Sequence, residues 1–175
     1  MKRNVLIYGF VTGLIFSAHM VVKVGKLYSN PGYQAKVVIG YTAMVVMFSL
    51  VYFGIRNYRD KHLQGTISFG RAFKTGCLIA LVGSSIYVLV WLGYYYLFVP
   101  DYPDVYTEHV LKNSSPSRLA ARTREMAHFR EKYKHPLFVV LITYYEVLPV
   151  GLVVAFISSL ILKTKPNAAT GEVAR

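Results

Sequence analysis

Four long apolar runs decide what this chain can fold into: residues 5–24, 37–55, 75–99 and 137–162. A helix rises about 1.5 Å per residue, so about 20 residues cross the roughly 30 Å hydrocarbon core of a bilayer. Lipid offers no partner to a backbone N–H or C=O, so the runs must be helices and the fold class is all-α. The last two runs are longer than a crossing needs and are expected to tilt or to project into the interface. The expectation is one polytopic membrane domain over residues 1–175, with four transmembrane helices and an amphipathic helix in the third link.

Composition supports a lipid environment. Charged residues make up 16% of the chain and hydrophobic ones 54%, whereas soluble domains carry about a quarter charged residues. The formal net charge is +12, which in a soluble protein would suggest nucleic acid. Here the cations lie in the links between apolar runs, where anionic headgroups meet them. No nucleic-acid-reading motif accompanies them, so the bilayer is the expected partner and nucleic acid is not. The single cysteine, Cys77, allows neither an intrachain disulfide nor a thiolate zinc site. Lys2-Arg3 followed by an apolar run imitates a signal peptide. The run is too long for a typical h-region and has no small-residue cleavage site where one belongs, so a retained first span is expected.

The links carry the topology. Ser29-Asn30-Pro31-Gly32 signals a turn between the first two spans. The second link is densely basic and ends in an amphipathic lead-in, with Ile67, Phe69 and Phe73 among Arg71 and Lys74. In the third link, residues 100–136, Ser115-Pro116 reads as an N-cap followed by a first-turn proline. A helix is expected from there to Lys134, with Leu119, Met126, Phe129 and Tyr133 toward one side, lying on the interface or in solvent. Placing the N-terminus inside divides the 20 Lys and Arg evenly between the two sides. The second link holds its charge closer to the spans, which favours both termini inside.

Small residues recur at every fourth position in three spans: Gly9, Gly13 and Ser17; Gly76, Ala80 and Ser84; Gly151, Ala155 and Ser159. That spacing lines one helix face and lets backbones approach closely in lipid. Packing within the chain is the favoured use, and pairing of two copies is the other.

The sharpest polar feature is Glu146, the sole acid of the fourth run. Acids cost roughly 2.5–3.5 kcal/mol at the centre of a membrane helix, so they face protein or water, and burial favours the neutral form. Pro149, three residues on, lacks an N–H and leaves the Tyr145 carbonyl without its helical partner. His19 in the first span is expected at a depth that Glu146 shares. Tyr41 of the second span, and Tyr87, Trp91 and Tyr94 along one face of the third, approach the same level. The expectation is a polar and aromatic cluster around Glu146, serving proton relay or substrate contact on one reading and helix packing on the other.

No phosphate-binding loop, nucleophile elbow, HExxH motif or paired-carboxylate arrangement is present, so no enzyme, cofactor or metal is expected. His109, His128 and His135 lack metal-ligand spacing and read as solvated. Asp60, between Arg59 and Lys61, reads as a surface ion pair of little energetic weight.

Several segments together resemble a known family. They are Tyr58-Arg59-Asp60-Lys61, Gly65-x-Ile67-Ser68-Phe69-Gly70, Pro136-Leu137-Phe138, Glu146-x-x-Pro149-Val150-Gly151-Leu152 and Leu160-Ile161-Leu162-Lys163. In this order they resemble bacterial four-span membrane proteins catalogued as domain of unknown function 4199, with His135 where Asn is expected. The resemblance implies a four-helix architecture and no assigned activity. The leading expectation is a non-enzymatic binding, accessory or structural bundle of the bacterial inner membrane, with a second copy or a membrane protein as partner. The alternative is a small proton-linked transporter or permeation element using Glu146.

Overall fold

The structure, a computed structural model, describes residues 1–30 and 37–164, and these contain six helices and no strand. Pro31 and Gly32, the second half of the expected first turn, lie outside the described residues. The four spans are α1 (Lys2–Ser29), α2 (Val37–His62), α3 (Phe69–Phe98) and α6 (Pro136–Leu162). Each is long and apolar enough to cross a membrane. Between α3 and α6 lie two shorter helices, α4 (Tyr102–Lys112) and α5 (Pro116–Tyr133).

Helix ends differ from the apolar runs where charged segments also pack. The third span begins at Phe69 rather than near residue 75 because its amphipathic lead-in is part of the same helix. Ile67 and Ala72 are buried there, and Phe69 and Phe73 stack 5.7 Å apart with Phe156 of α6 against their edges. The Thr164 N–H donates to the Ile67 carbonyl at 3.0 Å, and the Ile67 N–H to Thr164 Oγ1 at 2.8 Å. These bonds tie the end of α6 to the lead-in. The second span continues through the basic segment to His62, where Asp60 pairs with Arg59 at 2.7 Å and with Arg56 at 3.6 Å rather than with Lys61. A left-handed pair, Gln64 and Gly65, then turns the chain; φ is +80° at Gly65, a conformation glycine adopts without a Cβ penalty.

The spans close into a ring in the order α1, α3, α6, α2, with α2 also touching α3. The small-residue stripes form the seams. A Cβ on Gly9 would fall 2.6 Å from Val82, and one on Gly13 would fall 2.6 Å from Ile86, so α1 and α3 meet almost backbone to backbone. Gly76 faces Ala155, and Gly151 faces Ala80 and the Phe48 ring, which brings α3, α6 and α2 together. All three stripes are therefore used between helices of one chain. The buried hydroxyls of Ser17 and Ser159 return to their own helices, to Gly13 and Ala155, whereas that of Ser84 has no hydrogen-bond partner among the described residues. Asn4 instead bridges, donating to the Gly54 carbonyl at 2.8 Å and accepting from Asn57 at 2.7 Å.

The third link is a helical hairpin rather than an irregular stretch followed by one helix. Ser115 and Pro116 do start α5, although the Ser115 hydroxyl makes no capping bond. Of the side chains expected to share a face, Met126 and Tyr133 are buried and Phe129 partly so, while Leu119 is 43% exposed. Only the C-terminal half of α5 therefore docks on the bundle. An Arg130–Asp104 ion pair joins α5 to α4.

Candidate functional site

Where α4 and α5 cover the bundle, the spans leave a cavity of about 510 Å³. That size falls within the range of small-molecule sites. On α1, Phe16, His19, Met20 and Lys23 reach it because steps of three and four residues keep them on one face. On α2 the lining residues are Gly40, Tyr41, Met44 and Met47. On α3, Tyr87 and Trp91 lie one turn apart, and α6 supplies Ile142, Thr143 and Glu146. The link contributes Tyr102, Tyr106 and His109 from α4, and Phe129 and Tyr133 from α5.

His19, Tyr41, Trp91 and Glu146 thus line a single cavity. Pro149 does not line it; the proline is exposed and α6 runs through it unbroken. Tyr94 is also elsewhere, stacked on Phe98 at 5.7 Å, and Tyr95 takes the place beside Trp91 at 5.9 Å. By helical phase Tyr94 still shares the face of Tyr87 and Trp91, but its ring turns to Phe98 rather than to the cavity. His109 lines the cavity and is half-buried, which corrects the expectation that all three link histidines are solvated; His128 and His135 are exposed.

Sequence reasoning missed Lys23 and the link tyrosines. Lys23 had read as a cation near the end of a span. Its Nζ lies 3.8 Å from the place a Cβ would occupy on Gly40, which puts the ammonium against α2 at the cavity wall. Tyr102, Tyr106 and Tyr133 belong to the link hairpin, whose docking no local pattern announces.

An aromatic cluster holds the roof in place. Trp91 Nε1–H donates to the Tyr133 hydroxyl at 3.2 Å, a buried bond between α3 and α5. The Tyr133 ring lies 5.3 Å from Tyr95 and 4.7 Å from Phe129, and Tyr102 meets Trp91 edge-on at 4.8 Å. Burial raises the hydroxyl pKa of Tyr102, Tyr106 and Tyr133, and the negative charge of Glu146 adds to the rise at each. These hydroxyls therefore stay protonated and line the cavity as neutral groups.

Glu146 itself is exposed into the cavity and makes no hydrogen bond or ion pair with a described residue. The same holds for Lys23. No group of three or more His, Cys, Asp or Glu among the described residues is placed to hold a metal ion. The arrangement offers one carboxylate, one ammonium, two imidazoles and a tyrosine-rich wall beside an apolar one.

Comparison with known families matches residues 7–164 to the family described as "Protein of unknown function (DUF4199)". Comparison with curated proteins and with solved structures gives no match.

Proposed function

Because the chain belongs to the DUF4199 family of proteins of unknown function, which brings no activity with it, we propose a function from the cavity: a non-enzymatic membrane protein that binds a small amphipathic ligand. One observation carries this reading. A cavity of about 510 Å³ joins polar groups, Lys23 and Glu146 among them, to apolar side chains such as Phe16, Met44 and Ile142. Concave sites with a mostly apolar wall and few polar groups are the usual form of small-ligand sites. In this reading the protein is a multi-pass component of the bacterial inner membrane with both termini inside, and its site binds without catalysing.

Trp91 supplies the test, since it is the sole tryptophan and lines the cavity. Purified protein in a non-ionic detergent should show saturable quenching of Trp91 emission by a bromoalkyl amphiphile, relieved by its unbrominated counterpart. Quenching that only tracks the amphiphile content of the micelle would sink the proposal.

A second reading, proton-linked transport, is favoured by one placement: His19 and Glu146 on the same cavity wall system. It expects a proton flux in reconstituted vesicles that Glu146→Gln abolishes while leaving the fold intact. Wild-type vesicles no leakier than protein-free ones would eliminate this reading and leave ligand binding untouched.

A further inference from the structure

The cavity's two lone charges have opposite sign and stand on different helices. Glu146 projects from α6, about 15 Å along the helix from Pro136, and Lys23 from α1, about 9 Å along the helix from Ser29. They do not pair with each other, and neither has another partner among the described residues. Removing an ion from water costs several kcal/mol unless an opposite charge and hydrogen bonds compensate. Lys23 and Glu146 give each other an opposite charge across the cavity, but neither has the hydrogen bonds from described residues that would complete the compensation.

We infer that the ligand is zwitterionic, with its ammonium held at Glu146 and its anionic oxygen group held at Lys23. The inference rests on the binding reading above and names the chemistry of the ligand. A purely anionic ligand would satisfy Lys23 but would meet the carboxylate and the negative ring faces of the tyrosines. A purely cationic one would suit those rings, which attract ammonium groups, but would leave Lys23 opposed and unpaired. A zwitterion satisfies both charges at once. Glu146 and Lys23 line the cavity from different helices without touching, which calls for a spacer between the ligand's two charges, as in an ethanolamine phosphate, rather than both groups on one carbon. Tyr102, Tyr106 and Tyr133 keep their protons and can donate to the anionic end. Met20, Met44 and Met47 offer an adaptable surface to an alkyl chain.

The charge pattern can come from a lipid headgroup or from a free small molecule, and the test separates these sources. Full-length protein in non-ionic detergent is titrated while Trp91 emission is followed. The probes are dihexanoyl phosphatidylethanolamine, dihexanoyl phosphatidylglycerol, hexylamine and free phosphoethanolamine. The ethanolamine lipid should bind at least about tenfold more tightly than the glycerol lipid or the amine, a difference of about 1.4 kcal/mol. Glu146→Gln and Lys23→Gln should each erase that preference. Free phosphoethanolamine that displaces the lipid supports the inference with a soluble ligand as source; failure to displace it supports the inference with the lipid as source. Equal affinity for all the amphiphiles would overturn the zwitterion while leaving ligand binding standing. No response of Trp91 to any probe would overturn both. The wild-type comparison needs no variant, so a misfolded substitution leaves the inference open to refutation.

Discussion

Gly13→Val should strip the bundle of its α1–α3 seam and lower the unfolding temperature by roughly 6–12 °C. A Cβ at this position falls 2.6 Å from the Ile86 Cβ and 2.8 Å from the Gly83 carbonyl oxygen. Neither atom is the free end of a flexible side chain, so relief requires α1 to retreat from α3. Overpacking usually costs about 1–3 kcal/mol. A clash against backbone, worsened by two further methyls, belongs at about 3 kcal/mol or above. For a chain of this size each kcal/mol moves Tm by about 2–4 °C, which gives the stated range. Retreat of α1 also carries His19 and Lys23 off the cavity wall. Gly25→Ala is the matched control on the same helix, because a Cβ there meets nothing within 4 Å. It should hold or slightly raise Tm, since alanine is the better helix former. Thermal unfolding of the solubilised protein, followed by size exclusion, reads both variants. A Gly13→Val protein as stable as the wild type would show that α1 and α3 do not pack as described.

The seam shows why the architecture was legible in the sequence. Lipid excludes every spanning structure except helices and closed barrels, so four apolar runs translate almost directly into four helices. A small residue at every fourth position then marks the face where helices approach. What such a stripe does not state is its partner. Gly13 could have met a second copy of the chain, and only the three-dimensional arrangement sets it against Gly83 and Ile86. Helix limits were less legible because hydropathy falls before helicity does. Residues 56–62 and 69–74 are charged or mixed, yet they continue α2 and α3 since their apolar members still pack inward.

The site was legible in proportion to how unusual each residue was for its surroundings. Glu146 and His19 stand out against apolar runs, and their depths follow from counting residues along helices. Lys23 does not stand out, because a lysine near the end of a span is an ordinary interfacial anchor. Its place at the cavity depends on how α1 packs against α2, where its ammonium comes up beside Gly40. Tyr94 shares the helix face of Tyr87 and Trp91, yet it stacks on Phe98 and does not line the cavity, a choice of rotamer and neighbour that residue spacing does not carry. Helix α4 went unread because Pro100 and Pro103 look like loop punctuation, whereas Pro103 sits in the first turn of the helix, where proline needs no N–H.

Tyr133→Ala should release α5 from the bundle, at a cost of about 3–5 kcal/mol, the usual range for truncating a buried aromatic side chain. Tyr133 is 5% exposed and joins three elements. Its hydroxyl accepts the Trp91 N–H, its ring packs on Tyr95 and Phe129, and Phe138 of α6 meets its edge at 6.4 Å. Leu119 and most of the N-terminal half of α5 are exposed, so little else holds this helix down. Tyr133→Phe keeps the ring contacts and loses one hydrogen bond, worth about 0.5–1.5 kcal/mol. The two variants therefore separate packing from polarity. Hydrogen exchange across residues 116–133 should rise steeply in the alanine variant and slightly in the phenylalanine variant. Trp91 emission should shift to the red in the first, as water reaches the indole through the opened roof. If α5 exchanges in Tyr133→Ala as slowly as in the wild type, this aromatic anchor does not hold the roof. The cavity would then be closed by the spans themselves, and the link hairpin would have no part in controlling access to Glu146.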